Sequence, residues 1–148
     1  MKTKININGK EVEIELTAEQ IKAIKKATTD YKDIKSFEDA CAFENVDIAA
    51  FNSLVKDLPD DIAAYMKLRI IVKAINGGKS MDFKNTNENK YYPWFNAAGS
   101  VSGFSYYYYY YVDGCSSVSS RLCFIDSKRA EYAGKQFLSI YNEYINTN

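Results

Sequence analysis

The sequence predicts an α+β fold. An N-terminal β-hairpin and short helices precede a long buried helix, then a small antiparallel, aromatic-rich sheet that a C-terminal helix covers. An Asn-Gly pair at residues 8–9 lies between alternating apolar residues, apolar residues recur at helical spacing between residues 47 and 75, and six tyrosines follow one another at residues 106–111. We expect residues 1–58 and residues 59–148 to be two parts of one compact unit.

The N-terminal hairpin is predicted by its turn. A type I′ turn needs positive φ at both central residues, and Asn8-Gly9 is the pair that adopts it most readily. Pairing around this turn places Ile5 opposite Val12 and Thr3 opposite Ile14. The apolar residues of both strands then share one face of the ribbon.

Three short helices are predicted by their first residues. Thr17 begins a capping box with Gln20, Ser36 begins a second helix with its apolar residues directed inward, and Asp47 caps a third. Pro59 ends this helical segment, because proline cannot donate the backbone hydrogen bond that would continue it.

The long helix begins at Asp60-Asp61, where negative charge is favourable against the positive end of the helix dipole. Apolar residues cover more than one side of the helix up to Ile75, which is typical of a buried helix. Asn76-Gly77-Gly78 is predicted to cap its C-terminal end. Residues 79–90 are polar and are predicted to form a loop.

The tyrosine run is predicted to be a strand, since aromatic side chains favour the pleated surface of a sheet. If Asp113-Gly114 is a two-residue turn, residues 115–125 return as its partner strand. The inward face then contains Tyr107, Tyr109, Tyr111, Val118, Leu122 and Phe124. The outward face contains Tyr106, Tyr108, Tyr110, Ser117, Ser119 and Arg121. Tyr91-Tyr92-Pro93-Trp94-Phe95 is predicted to be an edge strand because of its proline.

The C-terminal helix is predicted to begin at Asp126 or Ser127 and to end near Ile145. Gly134 lies in the middle of it, where glycine costs about 1 kcal/mol relative to alanine. Close packing against a bulky ring would explain the glycine, and the tyrosine strand is the nearest candidate.

The charge and cysteine content limit the classes of function. Lysine plus arginine number 19 and aspartate plus glutamate also number 19, so the net charge is zero and gives no long-range attraction to nucleic acid or to anionic lipid. No apolar run has the length of a signal peptide or a membrane span. We expect the three cysteines to be reduced and buried, and the protein to be cytoplasmic.

The residue types argue against catalysis. The chain has no histidine, which removes the commonest general base and the commonest metal ligand. The three cysteines have no zinc-site spacing, and residues 76–80 lack the first glycine and the preceding strand of a phosphate-binding loop. We therefore expect no enzyme activity, no metal and no cofactor.

Three short sequence segments are similar to those of a known protein family. They are KYYPWF at residues 90–95, SRLCF at residues 120–124 and AEYAGKQF at residues 130–137. Over roughly residues 60–145, the chain resembles a family of small proteins encoded in gut Bacteroidetes genomes and in their phages and integrated mobile elements. The resemblance implies a phage or mobile-element setting, and it implies no substrate and no catalytic residue.

Three classes of binding function remain, and all use one candidate face of Tyr106, Tyr108, Tyr110, Arg121 and Trp94. The first is association with a phage or host protein or with a second copy, since tyrosine is enriched at binding surfaces. The second is single-stranded nucleic-acid binding through stacked rings beside Arg121, Lys128 and Arg129, which the zero net charge disfavours. The third is carbohydrate binding by the same rings.

Overall fold

Six α-helices and four β-strands make up the part of the chain that the computed structural model describes, which is residues 2–96, 105–112 and 120–145. The arrangement confirms the α+β fold. The chain divides into two compact units, Met1–Asp30 and Tyr31–Asn148. The division lies earlier than the change predicted after residue 58, because the helices that follow residue 36 contribute to the core of the second unit.

The first unit is a hairpin followed by a helix. Strands β1 (Lys2–Ile7) and β2 (Lys10–Glu15) pair antiparallel with Ile5 opposite Val12, which confirms the predicted register. Asn8 and Gly9 have φ angles of 52° and 82°, as the type I′ turn requires. Helix α1 (Ala18–Thr28) begins with the predicted capping box.

The second unit contains the remaining elements. Its bounds are α2 (Phe37–Glu44), α3 (Ile48–Val55), α4 (Asp60–Ile75), β3 (Lys90–Asn96), β4 (Ser105–Val112), α5 (Ser127–Gln136) and α6 (Leu138–Ile145). The unit also contains two 3₁₀ turns, Tyr31–Asp33 before α2 and Ser120–Leu122 before α5. Ser36 and Asp47 cap α2 and α3 through their side chains, as predicted.

Helix α4 is the central element of the core. Six of its residues are buried: Ala64, Leu68, Ile71, Val72, Ala74 and Ile75. Helices α2, α5 and α6 all contact it, so more than one side of the helix is covered, as its apolar pattern predicts. Glycines at residues 77 and 78 have φ angles of 68° and 82° and form the predicted C-terminal cap.

The aromatic sheet pairs differently from the prediction. Strand β4, the tyrosine strand, pairs antiparallel with β3. Of the predicted partner strand, residues 120–125 do not pair with β4, and residues 115–119 lie outside the described residues. Residues 120–122 form a 3₁₀ turn, and Phe124 forms a bridge to the other edge of β3 through mutual backbone hydrogen bonds with Tyr91 of 3.0 and 2.8 Å. Pairing with β3 places aromatic rings opposite aromatic rings, which stabilises a sheet more than phenols opposite serines.

Some of the predicted partners of the tyrosine strand lie outside the described residues, and others are buried without pairing with it. The Asp113-Gly114 turn, Cys115, Ser117, Val118 and Ser119 lie outside the described residues. Leu122 and Phe124 are buried at 3% and 0% exposure, so their predicted place in the core is confirmed, although they do not pair with β4. Cys41 and Cys123 are buried and form no disulfide.

The C-terminal helix is interrupted once. Asp126 caps α5 through its side chain, as predicted, but the helical geometry is broken at Phe137, where φ is −109° and ψ is 28°. Phe137, at the break, and Tyr141, four residues after it, are both buried in the core. None of the helices among the described residues is both long enough and apolar enough to span a membrane.

The Tyr141 hydroxyl of α6 leads to a stability prediction. It is buried and has no hydrogen-bond partner among the described residues, a state that costs about 1–3 kcal/mol. We expect Tyr141→Phe to raise the free energy of unfolding by about 1 kcal/mol at neutral pH, measured by urea denaturation. A loss of stability in this variant would show that the hydroxyl has a favourable partner.

The same side chain makes stability depend on alkaline pH. Burial, and after it the nearby Tyr144, raises the pKa of Tyr141 above its ordinary value. The unfolded chain therefore releases this proton near pH 10 while the folded chain keeps it, so stability is lost as the pH rises above about 10. Each such tyrosine contributes a slope of about 1.4 kcal/mol per pH unit. In Tyr141→Phe, the free energy of unfolding should therefore fall less steeply with pH above pH 10, by the contribution of one proton.

Candidate functional site

The aromatic sheet has one face on helix α5 and one face away from it. Pro93 and Tyr106 lie against Gly134 of α5, and the Phe95 ring is 4.8 Å from the ring of Tyr141. A β-carbon at Gly134 would lie 2.5 Å from Cδ2 of Tyr106, so the predicted close packing of this glycine against the tyrosine strand is confirmed.

A β-bulge decides which tyrosines face the helix. The register shifts between Trp94, which pairs with Tyr108, and Phe95, which pairs with Tyr106, so Tyr107 has no partner in the ladder. Because side chains alternate along a strand, one extra residue exchanges the faces of the residues on its two sides. The prediction of Tyr106 as outward and Tyr107 as inward is therefore wrong.

The bulge buries the Tyr106 phenol in part. Burial, followed by the nearby carboxylate of Glu131, raises the pKa of Tyr106 to about 12. The Lys135 ammonium lies 5.3 Å from the centroid of its ring and is also paired with Glu131 at 2.6 Å. Tyr106 is thus a packing residue between β4 and α5 and is not part of an open binding face.

Five rings remain exposed, and we name them the aromatic ridge. Trp94, Tyr107, Tyr108, Tyr110 and Tyr111 are each between 55% and 67% exposed. Tyr108 and Tyr110 are outward as predicted, whereas Tyr111 was predicted inward and is more than half exposed. Trp94 belongs to β3, and the four tyrosines belong to β4, so the ridge spans both strands.

Ring contacts join Trp94, Tyr110 and Tyr111 of the ridge to one another and to a ring that packs against the core. Trp94 contacts Tyr110 with ring centroids 5.8 Å apart, and Tyr110 lies 6.4 Å from Tyr111. Tyr111 contacts the half-buried Tyr91 at 5.7 Å. These separations are typical of favourable aromatic pairs, so the exposed rings hold one another in place.

Tyr109 connects Tyr91 to another exposed ring of the ridge, Tyr108. Tyr91 lies 5.8 Å from Tyr109, and Tyr109 stacks on Tyr108 at 4.5 Å with the planes 19° apart. Tyr109 packs against the core, as predicted. A hydrogen bond with Tyr109, and then its negative charge when ionised, raises the pKa of the Tyr108 phenol. The ridge is therefore anchored by two half-buried rings, Tyr91 and Tyr109, in the middle of this chain of contacts.

The predicted site residues are only partly brought together. The structure places Trp94, Tyr108 and Tyr110 on one surface, but Tyr106 is under α5. Arg121 is exposed in the 3₁₀ turn and lines a separate cavity beside α4. Tyr107 and Tyr111 belong to the ridge although the sequence reasoning assigned them to the core. The sequence contains no sign of the bulge that exposes Tyr107, because six identical residues have no pattern to interrupt.

Arg129, one of the three cations predicted to lie beside the tyrosines, is held by other partners. Arg129 pairs with Asp126, donates from Nε to the carbonyl oxygen of Ile75 at 3.0 Å, and stacks on Tyr31 at 4.7 Å. It therefore holds α5 to the end of α4. Among the described residues, no group of three or more cysteine and acidic side chains could hold a metal ion.

Comparison of the chain with protein-family models, with curated proteins and with solved structures finds no match. The resemblance to the gut Bacteroidetes and phage family stays a prediction.

Proposed function

We propose that this protein is a non-catalytic association protein, and that the aromatic ridge and the outer edge of β4 bind a second copy of the chain. The observation that carries the proposal is an uncharged strand, at the edge of its sheet in the described part of the chain, with four exposed tyrosine rings. Each of the following steps supports it from a different property of that strand.

The edge of β4 offers backbone hydrogen bonds. In the described part of the chain β3 is its one strand neighbour. We infer that the N–H and C=O groups of its other edge are open to a second chain. Natural proteins protect such edges with charged side chains or proline, and Ser105–Val112 contains neither. The bulge at Tyr107 disturbs only the beginning of the strand and leaves residues 108–112 regular.

The area of the ridge is adequate for a dimer. A tyrosine or tryptophan buries about 150–250 Å² when enclosed. Five rings that are more than half exposed therefore present on the order of 450–700 Å², against about 800 Å² per partner in a standard interface. The largest apolar patch of a typical monomer is about 300–600 Å².

Symmetry and charge favour a second copy as the occupant. Two identical strands paired antiparallel obey a two-fold axis, which makes the same patch complementary to itself. Phenol rings can then stack on phenol rings, and phenol hydroxyls can donate to one another. The zero net charge removes long-range repulsion between two copies.

The experiment is sedimentation of the wild type and of a Tyr108→Lys/Tyr110→Lys variant over a range of concentrations. We expect the wild type to dimerise and the variant to associate at least about 30-fold more weakly, since one interface hot spot is worth about 2 kcal/mol or more. Both side chains are exposed, so the variant should remain folded, although it loses the ring contacts of Tyr108 with Tyr109 and of Tyr110 with Trp94 and the stabilisation that dimerisation gives the wild type.

The matched control is Leu54→Lys/Ile62→Lys, which adds the same charge at two exposed apolar residues outside the ridge. This control should dimerise like the wild type. A wild type that is monomeric at every concentration would overturn the proposal. Quenching of Trp94 fluorescence by a single-stranded oligonucleotide, lost at high salt, would instead support the nucleic-acid function.

The setting of this association follows from two weaker indications. Cys41 and Cys123 are buried and form no disulfide, which is consistent with a reducing compartment, and we propose that the protein is cytoplasmic. The resemblance carried by residues 90–95, 120–124 and 130–137 places it in a phage or mobile-element context. Expression from such an element, followed by crosslinking of two copies in the host, would test both.

A further inference from the structure

A second feature of the molecule lies beside α4 and belongs neither to the ridge nor to the core. It is a cavity of about 620 Å³, a size within the usual range for small-molecule sites. One face of α4 forms its floor, where Met66, Arg69, Ile70 and Lys73 recur at helical spacing. The polar loop after α4, residues 79–84, forms a wall.

Part of the cavity lining is apolar. Val46, Phe51, Met66, Ile70, Met81 and Phe83 contribute to its lining. Phe51 is buried, and the others are half-buried, so they present apolar surface to the cavity without being closed off from it. Two methionines in one lining allow it to adapt to ligands of different shape.

The cavity wall is held in place by a buried lysine. Lys90 is fully buried, and its ammonium donates to the carbonyl oxygen of Asn85 and lies 5.5 Å from the centroid of the Phe83 ring. Asp82 accepts a hydrogen bond from the backbone N–H of Lys84 at 2.8 Å. These contacts order the loop that carries Phe83 and Lys84.

The rim of the cavity has an excess of positive charge. Five cations line it: Arg69, Lys73, Lys79, Lys84 and Arg121. The two lining acids are Glu44 and Asp82, and the largely buried carboxylate of Glu44 is paired with Lys73 at 2.7 Å. One lining carboxylate, that of Asp82, is then outside an ion pair among the described residues, and four lining cations remain: Arg69, Lys79, Lys84 and Arg121. The cavity is therefore locally positive although the whole chain is neutral.

These cations are available to a ligand. Within the described part of the chain, no ion pair joins Arg69, Lys79, Lys84 or Arg121 to an acidic side chain, and all four are exposed. The end of α4 that reaches the cavity is its C-terminal end, whose dipole repels anions. Recognition of an anion must therefore come from these side chains and not from the helix.

We propose that this cavity binds a small anionic molecule with an apolar body, whose carboxylate, sulfonate or phosphate group lies among Arg69, Lys79, Lys84 and Arg121. The body lies on Met66, Ile70 and Phe83, and the arginines bind the head group through paired hydrogen bonds. Burial raises the pKa of the Cys123 thiol to about 11, so this lining residue is a neutral thiol and binding is non-covalent. The site is independent of the ridge.

The test uses anilinonaphthalene sulfonate as the anionic probe and N-phenylnaphthylamine as its counterpart without the sulfonate. We expect one equivalent of the anion to bind, with an affinity that falls as salt is added. Arg69→Ala/Arg121→Ala should weaken it at least about tenfold, since a hydrogen bond to a charged group is worth about 1.5–3 kcal/mol. Displacement by dodecanoate indicates an alkyl body, and displacement by adenosine monophosphate an aromatic one.

The matched control is Lys128→Ala/Lys135→Ala, which removes two exposed cations of α5 and should leave the affinity unchanged. Tyr108→Lys/Tyr110→Lys should also bind the probe like the wild type, which separates the cavity from the ridge. Equal affinity for the uncharged counterpart would overturn the proposal. So would unchanged binding in the Arg69→Ala/Arg121→Ala variant.

Discussion

Replacing Asn76 with alanine is expected to lower the free energy of unfolding by about 2–5 kcal/mol. Asn76 is buried, and its Nδ2 donates to the carbonyl oxygen of Cys123 at 2.9 Å while its Oδ1 accepts from the N–H of Ile125 at 3.2 Å. The truncation leaves one donor and one acceptor unpaired on the backbone around Phe124, which is fully buried. Each such group costs about 1–3 kcal/mol.

The control for this variant is Asn87→Ala, in the exposed loop before β3, which should change stability by less than about 0.5 kcal/mol. Asn76→Asp should not restore stability, because a carboxylate can accept from Ile125 but cannot donate to the Cys123 carbonyl. Urea denaturation measures all three variants. A loss of less than about 1 kcal/mol in Asn76→Ala would mean that the two backbone groups find other partners.

Replacing Gly134 with alanine is expected to cost about 1–3 kcal/mol, although alanine is the better helix former by about 1 kcal/mol. The new β-carbon would lie 2.5 Å from Cδ2 of Tyr106 and 2.7 Å from Cβ of Pro93. Carbon atoms prefer separations of about 3.5–4.0 Å. The proline ring is fixed to the backbone of β3, so it cannot rotate away, and α5 must move off the sheet.

A double-mutant cycle separates the two contacts. In a Tyr106→Ala background, Gly134→Ala should cost less than in the wild type but should still be unfavourable, because the contact with Pro93 remains. Lys128→Ala, at an exposed residue of the same helix, is the control for a general effect of alanine. If Gly134→Ala instead stabilises the protein by about 1 kcal/mol, helix propensity outweighs the packing, and the glycine is not needed for contact.

The parts of the fold that the sequence predicts well depend on short-range chemistry. Thr17, Ser36 and Asp47 cap their helices through side chains that reach backbone N–H groups two or three residues away, and Asn8-Gly9 sets the hairpin register by its own backbone angles. Gly134 was also predictable, because an unfavourable residue in a helix requires a packing reason. Apart from that of Gly134, which contacts the distant Tyr106 and Pro93, these signals lie within a few residues of their effect.

The pairing of the tyrosine strand could not be predicted in the same way. Six identical side chains give no alternation, so a slip of one residue leaves the sequence pattern unchanged while exchanging the two faces. The turn signal at Asp113-Gly114 favoured residues 115–125, but the backbone of Phe124 pairs with Tyr91 across β3. The choice of partner depends on contacts between distant segments, which a local pattern does not contain.

The two candidate sites differ in how far the sequence indicates them. Tyr108 and Tyr110 were predicted to face outward from the register of an Asp113-Gly114 turn, which placed them opposite Ser119 and Ser117, and Trp94 was predicted to belong to the same binding face. The cations of the cavity belong to α4, to the following loop and to the 3₁₀ turn at residue 121, and each is an ordinary surface residue by itself. Only the fold brings them to one rim.

The central claim is that the outer edge of β4 pairs with a second copy, and amide hydrogen exchange tests it most directly. We expect the amides of residues 108–112 that do not bond to β3 to exchange slowly in concentrated protein and quickly in dilute protein. Amides of the β1–β2 hairpin should exchange at the same rate in both. Equal exchange rates along β4 at all concentrations would contradict the claim, because a strand that pairs with a second chain must protect these groups.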